Sequence, residues 1–242
     1  MKFALISDIH ANYEALKAVL ADMESQKVDK IHCLGDVIGY GTDPVDCINE
    51  INKVCDIKIM GNHEYAALGL SSTEHYHQAA RIAAEWTKNQ LSDFELSIIA
   101  DFKMSHSDSD FHFVHANPRE PESWRYILAP QAANDAFSYF DEKICFFGHS
   151  HLPHIFMEQE DALPRSQVGH DILPDPGNRY LINVGSVGQP RDNDNRACYV
   201  IFDTEEYELF YRRVEYDIAA AQMKMSEAEM PEALINRLSI GK

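Results

Sequence analysis

Apolar runs and amphipathic stretches alternate through the first quarter of the chain. An apolar run at residues 2–7 predicts a buried strand, and residues 12–26 repeat apolar side chains every three or four positions, which predicts a helix with Asn12 as its N-cap. The same reasoning predicts strands at 30–34 and 57–60, with a helix from Pro44 to Asn52 between them. This β-α-β-α-β order predicts parallel strands joined by right-handed crossovers.

A long helical region follows, and then the character of the chain changes. Residues 64–100 are helical in pattern and divide into two pieces near Ser92. A polar turn at 105–110 separates two predicted strands, at 101–104 and 109–114. The second half is therefore expected to be rich in short strands.

The remaining elements complete one domain. A helix is predicted at 130–140, and later strands are predicted at 144–147, 154–158, 179–184, 197–203 and 206–214, the last two as a hairpin. Residues 159–178 form a loose excursion, and residues 217–242 form a helical tail that packs on the outside. Because no linker divides the chain, we predict a single domain over 1–242.

Five of the predicted strands end in short polar islands built from metal-ligand residue types. These islands are Asp8-Ile-His10, Gly35-Asp36, Gly61-Asn62-His63-Glu64, Val114-His115-Ala116-Asn117 and Gly148-His149-Ser150-His151. Because ligands of α/β sheets bind outside the carboxyl ends of the strands, we expect the islands to meet along one edge of a sheet. If the strand stays extended, the two ligands of each alternating pair point the same way; otherwise loop geometry must orient them.

The islands contain seven candidate metal ligands of mixed imidazole, carboxylate and amide type. They are Asp8, His10, Asp36, Asn62, His115, His149 and His151. This mixture suits Mn, Fe, Zn, Ni or Co better than Ca or Mg. Seven ligands are too many for one tetrahedral ion and fit two ions that share a carboxylate. The other histidines, including His32, His75 and His77, are assigned structural or solvent-exposed roles.

Charge and composition narrow the classes of partner. The net charge of −18 argues against long nucleic acids and anionic membranes as partners, although bound cations allow a small anionic substrate. The five cysteines form no CxxC pair and are predicted to be buried thiols in a reducing compartment. No stretch approaches the roughly 20 apolar residues of a membrane span. We therefore expect a cytoplasmic protein.

The order of the islands resembles that of the calcineurin-like metallophosphoesterases. Their pattern is Asp-x-His, Gly-Asp, Gly-Asn-His-Glu/Asp, a lone His and Gly-His-x-His, and here it spans residues 8–151. The stretch from Asn183 to Arg191 resembles the closing segment of small bacterial and archaeal members, which extends the likeness to about residue 215. The resemblance implies an α/β fold of two facing mixed β-sheets flanked by helices, a four-layer α/β/β/α sandwich.

The resemblance also assigns roles to the islands. It implies that Asp8, His10, Asp36 and His151 hold one divalent transition metal, manganese being the first choice, and that Asp36 bridges to a second ion. The second ion would be held by Asp36, Asn62, His115 and His149. Two such ions can activate a bridging hydroxide for in-line attack on phosphorus. His63 would act as a general acid or stabilise charge on the leaving group.

One departure from the family pattern bears on the substrate. Protein Ser/Thr phosphatases carry an Asp and an Arg where this chain has Gly39 and Tyr40, so protein-phosphatase activity is not expected. Glu64 is one candidate to support His63 in place of the missing Asp. Candidate substrate-binding residues lie close to the islands: Asn12, Tyr40, Arg119, Arg125 and Arg191. An arginine between aromatic residues, as at Arg125, suits a nucleotide.

The sequence favours a phosphoesterase acting on a small phosphodiester or phosphomonoester, with a nucleotide among the candidates. The alternatives are a non-catalytic metal-binding interaction module and a nuclease or RNA-end processing enzyme. Retention of His63 and of every expected ligand argues against the module, and the absence of Lys/Arg clusters argues against the nuclease. A homo-oligomer remains open.

Overall fold

The computed structural model describes residues 1–74 and 76–242, and two β-sheets face each other at its centre. The first sheet contains, in spatial order, β11 (Glu208–Val214), β10 (Ala197–Asp203), β1 (Lys2–Ile6), β2 (Lys30–Cys33) and β3 (Ile57–Lys58). β1 is parallel to β2 and antiparallel to β10, so the sheet is mixed. The parallel order of β1, β2 and β3 predicted from the sequence is confirmed.

The second sheet is also mixed and has six strands. Its spatial order is β4 (Ser105–Asp108), β5 (Phe111–Val114), β6 (Ile144–Phe147), β9 (Tyr180–Asn183), β7 (His154–Met157) and β8 (Arg165–Val168). β5, β6 and β9 run parallel, whereas β4 and β7 are antiparallel to their neighbours. The polar islands after β1, β2 and β3 therefore meet those after β5 and β6 from a different sheet. The expectation of a single sheet edge was wrong, because apolar runs do not reveal which sheet a strand joins.

Helices cover the outer faces of both sheets. They are α1 (Tyr13–Gln26), α2 (Pro44–Val54), α3 (Asn62–Ala67), α4 (Gln78–Gln90), α5 (Asp93–Ala100), α6 (Pro130–Ala136), α7 (Ile218–Glu227) and α8 (Glu232–Ile240). α1, α2 and α5 pack on the first sheet, and α6 packs on the second. The architecture is the α/β/β/α sandwich that the family resemblance implied. None of the helices in the described part of the chain combines the length and apolar character of a membrane span.

The alternation of side chains along β1 shows why the strand is buried on both faces. Phe3 and Leu5 point into the core between the two sheets, whereas Ala4 and Ile6 pack against the helices. Such a strand has no polar face, so it appears in the sequence as a continuous apolar run.

Three expectations about elements were wrong. Residues 64–100 contain three helices, not two, because α3 ends at Ala67 and α4 begins at Gln78. The polar stretch after residue 104 contains the edge strand β4, and the strand predicted at 101–104 is reduced to one isolated bridge between Lys103 and Ile59. An edge strand with exposed polar side chains leaves no apolar pattern in the sequence.

The helical tail is less peripheral than expected. Leu234 and Leu238 of α8 are buried in a cluster with Ala83 of α4, and Tyr40 packs against the same cluster. The tail therefore lies against the region that carries the islands.

Candidate metal centre

The loops that carry the candidate ligands have an unusual backbone. Five of the seven residues have a positive φ between 50° and 65°: Asp8, His10, Asp36, His149 and His151. This left-handed region is uncommon for residues other than glycine and costs on the order of 1 kcal/mol each. β1 ends at Ile6, so loop geometry and not an extended strand orients the Asp8 and His10 side chains.

A first cluster joins the beginning of the chain to the loop after β6. The Oδ1 atom of Asp8 lies 3.3 Å from Nε2 of His151 and 3.8 Å from Nε2 of His10. The other oxygen, Oδ2, accepts a hydrogen bond from the main-chain N–H of His149 at 2.9 Å. The main chain thus holds one carboxylate oxygen while the other is turned into the cluster.

Main-chain carbonyls determine which nitrogen of each imidazole is protonated. Nδ1 of His10 lies 3.1 Å from the carbonyl oxygen of Ile38, and Nδ1 of His151 lies 2.6 Å from that of Gln189. Because a carbonyl can only accept, both Nδ1 atoms carry the proton and both Nε2 atoms present lone pairs. These two Nε2 atoms are 3.1 Å apart. Two facing lone pairs at that separation suit a shared cation.

A second cluster contains Asp36, His115 and His149. Nδ1 of His115 donates to the carbonyl oxygen of Leu34 at 2.7 Å, which leaves Nε2 as the lone-pair nitrogen. For His149 the order is reversed, because Nε2 lies 2.9 Å from the carbonyl oxygen of Trp124 and Nδ1 is left free. Each imidazole is therefore oriented by a main-chain acceptor, as is usual for metal-binding histidines.

Asp36 connects the two clusters. Its Oδ1 atom accepts from the main-chain N–H of His63 at 3.0 Å. Its Oδ2 atom lies 3.3 Å from Nε2 of His115 and 3.8 Å from Nε2 of His10. One carboxylate oxygen thus faces ligand atoms of both clusters, which is the arrangement required of a bridging ligand.

Orphaned polar atoms show that a cation fits here. Asp8 Oδ1, Asn62 Oδ1 and His115 Nε2 are buried and make no hydrogen bond to any of the described residues. The amide of Asn62 is held by its nitrogen, which donates to the Tyr76 hydroxyl at 3.1 Å. Because buried polar atoms without partners are rare and costly, oxygen and nitrogen lone pairs converging in this way fit divalent transition metals.

The two carboxylates differ in protonation. Burial and the nearby Asp36 charge raise the pKa of Asp8 to about 7. Burial also opposes ionisation of Asp36, but His115 and His63 outweigh it and hold the pKa of Asp36 well below its usual range. The same attraction outweighs burial at His115, whose pKa is raised to about 9, so Nε2 of His115 would have to lose a proton to act as a lone-pair donor to a cation. Asp36 is therefore the ionised centre of the cluster.

Glu64 organises the loops and does not support His63. Its carboxylate accepts three main-chain N–H groups, those of Gly61 at 2.8 Å, Asp36 at 2.9 Å and Ile38 at 3.1 Å. Burial and the Asp36 charge raise the pKa of Glu64 to about 7. The suggestion that Glu64 replaces the missing Asp beside His63 was wrong, because both of its oxygens are used by the main chain.

His63 is held by packing. A Cβ atom added at Gly39 would lie 2.1 Å from Nδ1 of His63, so the imidazole fills the space that a side chain at position 39 would need. The rings of Tyr40 and His10 lie 4.6 Å and 4.9 Å from that of His63, measured between centroids. Beside His63 is a cavity of about 360 Å³ whose lining includes Thr73.

The candidate substrate-binding residues fall into two groups. Tyr40 lies over His10, with ring centroids 4.5 Å apart, and the Arg191 guanidinium carbon is 5.9 Å from the Tyr40 ring centroid. Asn12 is elsewhere engaged: its Oδ1 caps α1 by accepting from the N–H of Ala15 at 3.1 Å, and its amide nitrogen donates to the carbonyl of Gly188 at 2.9 Å. Asn12 is buried and has no polar atom left for a substrate.

Arg119 and Arg125 are paired on the surface. Arg119 binds the Asp135 carboxylate at 3.0 Å, and Arg125 binds that of Glu120 at 2.9 Å. A carboxylate already compensates the charge of each guanidinium, which argues against Arg119 and Arg125 as the main phosphate ligands. The acidic partner of Arg119 lies 16 positions away in sequence, beyond the reach of local pattern reasoning.

Sequence reasoning missed three residues at the site. Tyr76 holds the Asn62 amide, Tyr126 stacks on His149 with ring centroids 4.2 Å apart, and Arg237 reaches Gln189 from α8. The only available signal was the presence of Trp124 and Tyr126 around Arg125, which pointed to the right loop but to the wrong residue. Of the histidines assigned structural or solvent-exposed roles, those that the structure describes lie outside the metal clusters, and His75 is not among the described residues. His63, assigned to catalysis, forms a third cluster of possible ligand atoms with His10 and Asp36.

Comparison with known proteins identifies the family. The model of the calcineurin-like phosphoesterase superfamily domain matches residues 1–207. The chain belongs to this superfamily. It is 39% identical to the uncharacterised protein MJ0912 of Methanocaldococcus jannaschii, over 99% of this chain and 98% of that protein.

Solved structures agree with this membership of the superfamily. A metallophosphoesterase from Sphaerobacter thermophilus superimposes with a TM-score of 0.87 at 38% identity and covers 100% of this chain and 99% of its own. The hypothetical protein PH1004 from Pyrococcus horikoshii OT3 has a TM-score of 0.79 at 17% identity, with coverage of 100% and 98%. The predicted family and fold are confirmed, and members of the superfamily are generally metal-dependent phosphoester hydrolases.

Proposed function

We propose that the protein is a phosphoesterase that uses two divalent metal ions to hydrolyse a small phosphodiester or phosphomonoester. The observation that carries the proposal is the position of Asp36 Oδ2 between two buried clusters of unpartnered lone pairs. Asp8, His10, Asp36 and His151 would hold one ion, and Asp36, Asn62, His115 and His149 would hold the other. The donor set admits Mn, Fe, Zn, Ni or Co, and manganese is the first choice from the family resemblance.

Two such ions supply an activated water and neutralise charge that develops on the phosphoryl group. The chain's own residues supply the rest. His63 lies beside Asp36 and is positioned to donate an N–H to the leaving-group oxygen. Because no carboxylate hydrogen-bonds to its ring within the described residues, packing against Gly39 and Tyr40 orients the imidazole. Arg191 adds a positive charge close to Tyr40, beside the metal clusters, for an anionic substrate.

Charge favours a small substrate. The net charge of −18 and the acidic partners of Arg119 and Arg125 disfavour a long polyanion. A cytoplasmic setting belongs to the proposal and is supported by five free, buried cysteines. Protein-phosphatase activity is not proposed, because Gly39 and Tyr40 replace the residues that would serve it.

The test separates metal binding from chemistry. The protein is reconstituted with Mn²⁺, its metal content is measured by mass spectrometry, and hydrolysis of bis-p-nitrophenyl phosphate is followed. Asn62→Ala removes an oxygen ligand and is expected to lower metal content and rate together. His63→Ala is expected to keep the metal content and to lower kcat by roughly 10²–10⁴-fold, the usual contribution of a general acid.

His170→Ala serves as the control, because His170 is exposed and its Nδ1 contacts only the carbonyl of Val168. This variant should match the wild type in metal content and rate. A protein that holds two metals but hydrolyses no phosphoester with Mn, Ni, Co, Fe or Zn would overturn the proposal and favour the non-catalytic module.

A further inference from the structure

Two arginines beside the metal clusters share a single neutral acceptor. Oε1 of Gln189 accepts from Nη2 of Arg191 at 2.7 Å and from Nη1 of Arg237 at 3.0 Å. Gln189 is buried, and both arginines are half-buried. Two guanidinium groups held this close repel each other, and the neutral amide does not compensate their charge.

The other arginines show how unusual this arrangement is. Six of the ten form ion pairs with carboxylates: Arg119, Arg125, Arg179, Arg196, Arg212 and Arg213. Two others, Arg81 and Arg165, are exposed. Among the described residues, Arg191 and Arg237 are therefore the half-buried guanidinium groups that pair with no Asp or Glu side chain, in a chain where 39 acidic residues outnumber 21 basic ones.

The acidic residue that follows Arg191 in the sequence does not pair with it either. Asp192 follows Arg191 but forms its ion pair with Arg213. Nε of Arg191 is buried and has no partner among the described residues, whereas Nε of Arg237 donates to the main-chain oxygen of Lys242, the last residue of this sequence, at 2.5 Å. Donors remain free on both side chains. Arg191 is thus a partly desolvated cation to which no described acidic side chain is paired, which is costly, and a second cation lies beside it, so the pair favours binding of an anion.

The pair lies next to the first metal cluster. The main-chain N–H of Arg191 donates to the carbonyl of His151 at 3.3 Å, and its guanidinium lies near Tyr40, which covers His10. Arg237 comes from α8, an element that supplies none of the metal-ligand residues. A substrate with its scissile phosphate at the clusters would therefore place a neighbouring group between the two arginines.

We propose that Arg191 and Arg237 bind a second phosphate of the substrate, distinct from the phosphate that is hydrolysed. The proposal rests on the proposed function only in placing the scissile phosphate at the metal clusters. Two adjacent guanidinium forks match the oxygens of a terminal phosphate, which carries more charge than a diester. The preferred substrate class is then a phosphoester that bears an additional phosphomonoester, as in a nucleoside bisphosphate ester.

The kinetic test compares two esters with the same scissile bond and leaving group. Thymidine 5′-(p-nitrophenyl phosphate) lacks a second phosphate, and its 3′-phosphorylated counterpart carries one. We expect the Mn²⁺-loaded wild type to favour the 3′-phosphorylated ester in kcat/KM by about tenfold or more, and Arg237→Gln to reduce that ratio at least about fivefold. Arg196→Gln removes an equal charge from a surface ion pair and should keep the wild-type ratio.

A binding measurement gives a readout that does not depend on turnover. Inorganic pyrophosphate is titrated calorimetrically into the full-length, metal-free protein, and Arg237→Gln is expected to weaken its Kd by roughly fivefold or more relative to Arg196→Gln. Arg237→Lys keeps the charge but loses the fork, and it provides an intermediate case if Arg237→Gln does not fold.

The outcomes are distinct. Equal substrate ratios and equal pyrophosphate affinities for Arg237→Gln and Arg196→Gln would overturn the second-phosphate site while leaving phosphoesterase activity intact. Pyrophosphate binding that depends on Arg237, in a protein that hydrolyses no ester, would support the anion site and overturn the proposed function.

Discussion

At the scale of single residues, the close approach of Gly39 to His63 constrains the site. Gly39 has a φ of +89°, and a Cβ there would meet the imidazole at 2.1 Å, so glycine is required for two separate reasons. The family comparison made from sequence treated position 39 only as a missing acid. The structure shows that the absence of a side chain is itself what makes room for His63.

Gly39→Ala should therefore damage the reaction more than the fold. We expect a loss of about 1–2 kcal/mol from the left-handed backbone, together with displacement of His63 and a fall in kcat at unchanged metal content. Gly69→Ala is the matched control, because Gly69 also has a positive φ, +74°, but has open space around it. Equal kcat values for the two variants would contradict the packing role assigned to Gly39.

His32 illustrates a buried histidine that binds nothing. It lies between Phe3 and Phe113, with ring centroids 5.3 Å from each, and its Nδ1 has no partner among the described residues. Burial lowers the pKa of His32 from 6.5 to about 4. The folded state thus favours the neutral ring. The stability of the protein is unaffected by this group above pH 6.5, where the ring is neutral in both states. Stability falls between pH 6.5 and pH 4, where the unfolded state binds the proton and the folded state does not.

His32→Phe should flatten this acid dependence. Between pH 7 and pH 4 the free energy of unfolding of the wild type is expected to fall by up to about 3 kcal/mol through this group. The variant lacks the group, so its total fall over the same range should be smaller by a similar amount. Urea unfolding at a series of pH values measures the difference. His170→Phe, at an exposed position, should follow the wild type. Parallel curves of the free energy of unfolding against pH for wild type and His32→Phe would refute the lowered pKa of His32.

Site residues that could be identified from the sequence carry a local signal, whereas those that could not are defined by contacts with residues far away in the chain. The seven ligand candidates share residue type and position after strands, so they were identifiable without knowing their partners. Arg237 is one cation on an amphipathic helix, and its partner Gln189 is 48 positions away. No local pattern marks such a residue, because the tertiary structure alone gives it a role.

At the scale of elements, Asn12 joins α1 to a distant loop. The amide caps the helix on one side and binds the carbonyl of Gly188, 176 positions away, on the other. The predicted N-cap is confirmed. The second contact, which removes Asn12 from the candidate substrate ligands, depends on a loop that sequence could not place.

Asn12→Ala should consequently lower stability. A loss of about 1–2 kcal/mol is expected from the cap alone, with further loss from the buried Gly188 carbonyl. Ser25→Ala, near the opposite end of α1, removes only exposed bonds to the Asp22 carbonyl and the Gln26 amide and should change little. Chemical denaturation measures both. A variant that keeps full stability but loses substrate affinity would restore Asn12 as a binding residue.

Elements were predictable to the extent that their burial was regular. β6 was predicted at its observed bounds because all four residues are buried. β4 was missed because its side chains are polar and half-exposed or exposed. The break between α3 and α4 is marked in the sequence by Gly69 and by Ser71-Ser72-Thr73, and it was missed because the helical pattern on either side was read as continuous.

At the scale of the whole molecule, an aromatic cluster joins the two sheets. The ring of Phe146 lies 5.9 Å from that of Phe113, 6.0 Å from Phe202 and 6.1 Å from Phe3, between centroids. Phe3 and Phe202 belong to the first sheet, and the other two belong to the second. The ends of both sheets carry metal-ligand loops, so this core fixes the distance between them.

Phe146→Ala should weaken the entire structure. Removing a buried phenylalanine from a close-packed core is expected to cost about 3–5 kcal/mol. Phe94→Ala is the matched control, because Phe94 is 63% exposed on α5 and should cost little. Thermal and urea unfolding provide the measurement. Similar losses for the two variants would mean that the core between the sheets contributes less than its burial indicates.

The pairing of Asp8 and His10 with His151 also sets an order in time. His10 and His151 are 141 positions apart, and a ribosome that adds roughly 5–20 residues per second needs about 7–28 s to cover that distance. During this interval the nascent chain exposes two strong ligands that lack their partner. A growing chain can bind single metal ions loosely but cannot assemble the first cluster until more than half of the protein has been synthesised.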